Sequence, residues 1–375
     1  MAKVKNWQIG RDMEYPIAHT PPKKQVTYIF DINKCIECQT CTVACKTGWT
    51  SGKGQEHVFY NNVETKPYGG YPQQWDVKLL ASRDLVKWKR GTLTTPTIFE
   101  DHAPLDPPTG HRPTEDDYAS PNLGEDDIFG RVDRGAHVDG QHPMWMFYLA
   151  RICNHCEHPA CLAACPRKAI YKREEDGIVL IDQERCRGYQ ECIKACPYKK
   201  TFFNMVSRTS EKCIGCYPRV ENGEVALCVE SCIGKIRMHG FSVPNAEPDP
   251  KNPIDLIVKI RKLALPLYPQ FGTSPNVFYI PPIHVPEEFL EQMFGPNVHA
   301  AKELYRRVSK DRELLGALLL FGASTRIITR FEVQGDEAVG WDATGAEVAR
   351  VPMVERAFER ERFDEKHGTF RHNLM

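Results

Sequence analysis

The chain has 375 residues, 41% of them hydrophobic, and its 49 lysines and arginines are matched by 49 aspartates and glutamates. That much apolar material fills one large core or two modest ones, which excludes disorder over most of the length. The balanced charge excludes a globally cationic surface for nucleic acid or anionic membrane, so any partner surface is local.

Residues 1–24 (MAKVKNWQIGRDMEYPIAHTPPKK) have no apolar core segment and no small-residue cleavage site, so they read as an arm and not as a secretory signal. A strand over 26–30 leads through Asp31-Ile32-Asn33-Lys34 into the first of four cysteine groups, Cys35, Cys38, Cys41 and Cys45. Its C-x2-C-x2-C-x3-C spacing is the one bacterial-type ferredoxins use for cubane clusters. One short loop can grip three corners of a cubane, while Cys45, on the following helix, points to a different cluster. Residues 49–143 form a loop-rich insertion. Its first half carries Trp49, Phe59, Tyr60, Tyr68, Tyr71 and Trp75, and 101–130 is rich in proline, aspartate and glycine. A loop this long is expected to cover the clusters and meet a larger subunit, with self-packing as the plainer alternative.

A strand within 144–152 precedes the second group, Cys153, Cys156, Cys161 and Cys165, followed by Pro166. A strand over 178–181 runs through Asp182-Gln183-Glu184-Arg185 into Cys186, Tyr189, Cys192, Cys196 and Pro197, where spacing predicts a cysteine at 189. Strand, then D-x-x-[KR]-C, is an internal repeat of the segment before Cys35 and points to duplication of one unit. A strand over 201–207 precedes Cys213, Cys216, Cys228 and Cys232, whose insertion at 219–226 reads as a small hairpin around Asn222-Gly223. Residues 254–330 show helical periodicity, for example 286–293 and 300–320. Residues 331–352 read as short strands turning at Gly335-Asp336 and Thr344-Gly345, and 353–375 as a charged helix and tail. The longest apolar run, 314–323, is too short to cross a bilayer.

All fifteen cysteines lie between Cys35 and Cys232, a clustering that suits metal and not a disulfide framework. In two-cluster ferredoxins paired groups exchange their last ligand. Applied to nested pairs, the exchange gives cluster A Cys35, Cys38, Cys41 and Cys232; cluster B Cys45, Cys213, Cys216 and Cys228; and cluster C Cys153, Cys156, Cys161 and Cys196. Cluster D keeps Cys165, Cys186 and Cys192, and no thiol is left over. With Tyr189 at the missing corner, D reads as [3Fe-4S] beside three [4Fe-4S] clusters; the alternative is a fourth iron holding water, hydroxide or the Tyr189 phenolate. Zinc is the competing metal for any Cys-x-x-Cys pair, in a binding module without redox function, but it does not need runs of three cysteines with a fourth four residues on. His155 and His158 read as supporting donors or surface residues. Lys34, Lys46, Arg151, Arg167, Lys168, Arg185, Arg187, Lys194, Lys199 and Lys200 crowd the groups, and positive charge raises a cluster's potential. Cluster D, nearest the densest basic stretch, is expected to have the highest potential.

The expected architecture is α+β: an arm, 1–24; one ferredoxin-like unit of the bacterial two-cluster type, 25–48 with 206–240; the insertion, 49–143; a second unit nested in the first, 144–205; and a mainly helical extension, 241–375.

The segments NKCIECQTCTVACKTGWTSGKGQE (33–56), NNVETKPYGGYP (61–72), CNHCEHPACLAACPRKAIYKREEDGIVLIDQERCRGYQECIKACPYKK (153–200), CIGCYPRV (213–220) and PQFGTSPNVFYIPP (269–282) resemble the beta subunits of the nitrate reductase and nitrite oxidoreductase group, type II dimethyl-sulfoxide-reductase-family molybdenum enzymes. Asn6-Trp7-Gln8 followed by Tyr15-Pro16 looks nearest to nitrite oxidoreductase beta subunits. The chlorate, perchlorate, selenate, dimethyl sulfide and ethylbenzene enzymes of the same family are the alternative; Tyr189 argues against a formate-dehydrogenase-like or dimethyl sulfoxide reductase-like carrier with four [4Fe-4S] clusters. The resemblance implies an alpha subunit with a molybdenum bis-guanine-dinucleotide cofactor, facing cluster A, and a haem b gamma subunit, facing cluster D. It also implies electron transfer with no substrate chemistry on this chain, membrane association only through partners, and export with a twin-arginine-tagged alpha subunit to the outer face of the cytoplasmic membrane, the cytoplasmic face being the alternative. Its members carry tryptophan or another non-cysteine residue at the position matching Tyr189.

Overall fold

The strand Gln25–Asp31 (β3 in chain order) is buried at every one of its seven residues. Its sequence QVTYIFD does not alternate in polarity because both faces are covered. In the computed structural model, which describes residues 2–18, 20–66, 86–100, 146–244 and 246–354 and the backbone of 362–364 and 369–371, this strand lies inside a four-stranded sheet. β12 (Arg237–Ser242) runs antiparallel to it, Phe30 opposite Arg237, and β14 (Val277–Ile280) runs parallel on its other edge, followed by β13 (Leu265–Pro266). Val26, Tyr28 and Phe30 face one core, shared with the cysteine loops. Ile29 faces a second core with Met238, Ile254, Leu256, Phe278 and Leu314.

Smaller ladders hold the remaining loops. β1 (Ala2–Asn6) and β2 (Arg11–Tyr15) form a hairpin, β4 (Asn62–Lys66) pairs with β7 (Phe147–Arg151), and β5 (Trp88–Lys89) with β6 (Thr92–Leu93). β8 (Ile170–Lys172) pairs with β9 (Val179–Ile181), and β10 (Thr201–Asn204) with β11 (Thr209–Lys212). Among the described residues, five short helices punctuate this half: α1 (Thr40–Trp49), α2 (Ala160–Ala163), α3 (Glu191–Ala195), α4 (Tyr217–Glu221) and α5 (Leu227–Glu230). Beyond β12 come α6 (Pro253–Asp255), running into a π-helical turn at Leu256–Ile260, then α7 (Glu287–Phe294), α8 (Val298–Arg306) and α9 (Arg312–Leu319). Among the described residues no helix is long and apolar enough to cross a membrane.

Three expectations need correction. The insertion at 219–226 is not a hairpin: α4 occupies its start, and the chain then ties to the far segment through Val225 N–H donating to Thr325 C=O (2.9 Å) and Ile327 N–H to Gly223 C=O (2.9 Å). A distant strand-like partner replaces the local one. The helix expected over 300–320 is two helices, because the Asp311 carboxylate accepts from Leu314 N–H (3.1 Å) and starts α9 as an N-cap. In the tail, Arg362–Asp364 pairs antiparallel with Thr369–Arg371 where a helix was expected, each strand centred on a β-favouring phenylalanine. The strands β15 (Arg330–Gln334), β16 (Glu337–Trp341) and β17 (Glu347–Pro352) turn at the expected glycines. Within the insertion, Tyr68, Tyr71, Trp75 and 101–143 lie outside the described residues.

Candidate iron-sulfur centres

The four cysteine groups share one loop geometry. The residue just before the second ligand position has positive φ in each: Glu37 at 54°, His155 at 41°, Gly188 at 67° and Gly215 at 63°. That left-handed step turns the following side chain back beside the preceding cysteine, a conformation non-glycine residues hold only at some cost. A second left-handed step follows the last cysteine of three groups, at Lys168, Lys199 and Lys235, each donating its N–H to the carbonyl of Cys165, Cys196 and Cys232 at 3.1, 3.1 and 3.3 Å. The next amide then points at sulfur, Ala169 N 3.3 Å from Cys165 Sγ and Lys200 N 3.5 Å from Cys196 Sγ. Ser210 N–H reaches Cys186 Sγ at 3.3 Å, and Gly215 N–H reaches Cys213 Sγ at 3.4 Å.

These loops converge on four places. Cys35, Cys38, Cys41 and Cys232 line a recess of about 340 Å³, open on one side, with Ile36, Val63 and Arg237. Cys45, carried on α1, lies among Cys213, Cys216 and Cys228. Cys161 lies with Cys153, Cys156 and Cys196. Cys165, Cys186 and Cys192 line a recess of about 320 Å³, with Tyr189 at its rim, 60% exposed. The sets adjoin in order: Cys228 is near Cys41, Cys213 near Cys153, and Cys192 near Cys196.

The donor sets fit iron-sulfur cages. Burial pushes the thiols of Cys35, Cys192 and Cys216 up to about 11 and those of Cys213 and Cys228 to about 12, so buried thiolates there need a cation to hold them. Among the described residues no three histidine, cysteine or acidic side chains converge tightly enough to share one metal ion. The cysteines ring spaces, not points, an arrangement for a multi-iron cage and not a zinc ion.

Two buried cations at these sites escaped sequence reasoning. Arg237, 1% exposed, places Nη2 2.9 Å from Cys41 Sγ. Lys212, 3% exposed, donates to the carbonyls of Val179 and, at 2.8 Å, Cys213, and to the Cys153 thiol. Their signal was the place of Lys212 directly before Cys213, and of Arg237 five residues after Cys232. Of the expected cations, Arg151 is neutralised by Glu64 (2.8 Å), Lys46 donates to backbone carbonyls at 55, 56 and 58, and Arg185 and Lys194 pair with Asp182 (3.2 Å) and Glu191 (2.9 Å) at the surface. His155 and His158 are both buried, which removes the surface reading; His155 Nδ1 accepts from Val179 N–H at 3.1 Å.

Residues 144–242 match a family model described as a 4Fe-4S dicluster domain. The chain is 44% identical to selenate reductase subunit beta of Thauera selenatis, over 74% of this chain and 89% of that protein. It is 45% identical to chlorate reductase subunit beta of Ideonella dechloratans, with the same coverage, and 43% identical to respiratory nitrate reductase subunit beta of Haloferax mediterranei, over 76% of this chain and 85% of that protein.

Proposed function

Because the chain belongs to the iron-sulfur beta subunits of the type II dimethyl-sulfoxide-reductase-family enzymes, we propose that it is the electron-transfer subunit of such a complex, linking a molybdenum bis-guanine-dinucleotide alpha subunit to a haem b gamma subunit or another carrier. Three [4Fe-4S] clusters and one [3Fe-4S] cluster, each taking and passing one electron, supply the redox chemistry. Cys35, Cys38, Cys41 and Cys232 hold A; Cys45, Cys213, Cys216 and Cys228 hold B; Cys153, Cys156, Cys161 and Cys196 hold C; Cys165, Cys186 and Cys192 hold D, with Tyr189 at its open corner. The observation that carries the reading is the fall of all fifteen cysteines into four adjoining sets with none to spare. Two ferredoxin-like units, one nested in the other, are the architecture this ligand exchange implies.

Exposed apolar residues mark both ends of the series. Ile36, Val43 and Ile233, 51 to 64% exposed, each lie within two residues of an A-site cysteine and form the proposed alpha-facing surface. Tyr189, 60% exposed, stands at the D end, the proposed haem-facing surface. Anaerobically prepared protein should contain about fifteen irons per chain and show a three-iron EPR signal when oxidised. Far less iron would overturn the cluster assignment.

The proposed substrate couple is nitrite and nitrate, on the resemblance of residues 6–16; the identities with the selenate and chlorate reductase subunits favour an oxyanion-reductase reading as the second. Assaying the purified complex for nitrite oxidation against chlorate and selenate reduction decides between them. The complex is placed at the outer face of the cytoplasmic membrane, the cytoplasmic face being the alternative; protease treatment of intact spheroplasts, degrading the subunit only if it faces out, tests the placement.

A further inference from the structure

Arg237 opens β12, and its guanidinium sits where two cysteine sets meet. Nη2 donates to Cys41 Sγ at 2.9 Å, and Cys228 accepts a hydrogen bond from the same group. Nη1 reaches Asn61 Oδ1 at 3.3 Å, and the cation lies 4.4 Å from the centre of the Phe30 ring. Among the described residues no carboxylate pairs with it, so its charge is directed at sulfur. Lys212 repeats the arrangement one junction along, its ammonium between the Cys213 loop and the Cys153 thiol. Both side chains rise from paired strands, Arg237 opposite Phe30 and Lys212 opposite Thr201, which fixes their positions.

We propose that Arg237 and Lys212 are fixed positive bridges that set the reduction potentials of neighbouring cluster pairs, Arg237 those of A and B, Lys212 those of B and C. The proposal rests on the four-cluster reading above. Each reduction adds one electron and one negative charge to a cage, with no bond broken and no proton moved. A buried cation within reach of two cages stabilises that charge on either side, Arg237 through the sulfurs of Cys41 and Cys228, Lys212 through the Cys153 sulfur and the Cys213 carbonyl, and low local polarity keeps the effect strong. It also lessens the repulsion an electron meets when the neighbouring cage is already reduced. B, touched by both cations, is the cage most dependent on them.

The test is an EPR-monitored redox titration of the purified holo-complex carrying Arg237→Gln, Arg237→Lys or Lys212→Met. Arg237→Gln should shift two of the four reduction equilibria at least about tenfold towards the oxidised form, about 59 mV for a one-electron couple. Lys212→Met should also shift two, one of them shared with Arg237→Gln, while the three-iron signal of D titrates unchanged. Arg237→Lys, which keeps the charge and loses the fork, should move the same two steps by less. If Arg237→Gln fails to retain iron, the Lys variant carries the test, since a purely structural role leaves its midpoints at wild-type values. Unchanged midpoints in fully loaded variants, or a uniform shift of all four, would overturn the proposal. Wild-type protein lacking four clusters would instead remove the reading on which it rests.

Discussion

Tyr189 stands at a loop position that holds sulfur in the other three groups, after the same left-handed step, at Gly188, that precedes Cys38, Cys156 and Cys216. The loop is therefore already shaped for a fourth ligand. Tyr189→Cys is expected to add about one iron per chain and to abolish the three-iron EPR signal proposed for the oxidised protein; a variant with an undiminished signal would show that more than the missing thiol keeps the corner open. A second residue-scale prediction concerns His239, buried against Tyr28 (ring centroids 4.5 Å apart), its Nδ1 accepting from Ala226 N–H at 3.2 Å. Burial pushes its pKa down to about 3, whereas an unfolded histidine titrates near 6.5. Its contribution to stability is complete above about pH 6.5 and is lost as pH falls from there towards 3, so the complex should lose about 1 kcal/mol between pH 7 and 5.5 from this group. His239→Asn keeps an acceptor without titrating, and anaerobic thermal melts should show a flatter pH dependence; an unchanged slope would clear His239 of the effect. The cysteines were legible because spacing alone carries the chemistry. Arg237 was not, because 196 residues separate it from the sulfur it touches.

Element by element, legibility followed how local the stabilising partner is. The strands leading to Cys35 and Cys186 were readable, since β-branched and aromatic runs met a D-x-x-[KR]-C turn. The 219–226 insertion was misread because Asn222-Gly223 is a strong local hairpin signal, overridden by α4 and by bonds to Thr325 and Ile327 about a hundred residues away. Close packing decides β12 as well. A Cβ on Gly240 would lie 2.7 Å from Ile254 Cγ1, and Ile254 belongs to the second core. Gly240→Val should therefore destabilise the protein by about 1–3 kcal/mol through overpacking. Combining it with Ile254→Ala should recover part of the loss in denaturant unfolding; strict additivity of the two changes would show that they do not meet.

At the scale of the whole molecule, the segment beyond the last cysteine is built into the same sheet as the strand that feeds Cys35. β14 supplies the parallel edge of β3, with Val277 opposite Tyr28 and Ile280 opposite Asp31, and Tyr305 Oη donates to the Asp31 carboxylate at 2.8 Å. Asp31 also caps the turn into the first loop, accepting from Asn33 N–H at 3.1 Å. Composition could not show this, because a parallel pairing across some 250 residues leaves no local periodicity to read. Ending the chain after Pro244 would strip one edge of β3, expose Ile29 and Met238 from the second core, and free Asp31 on the approach to the A site. An exposed apolar strand edge is prone to aggregation. The truncated chain, though it retains all fifteen cysteines, should therefore be largely insoluble, with any soluble fraction short of iron and the deficit greatest at A. Full iron loading of a soluble 1–244 fragment would show that the cysteine-bearing half holds its cages without the second core.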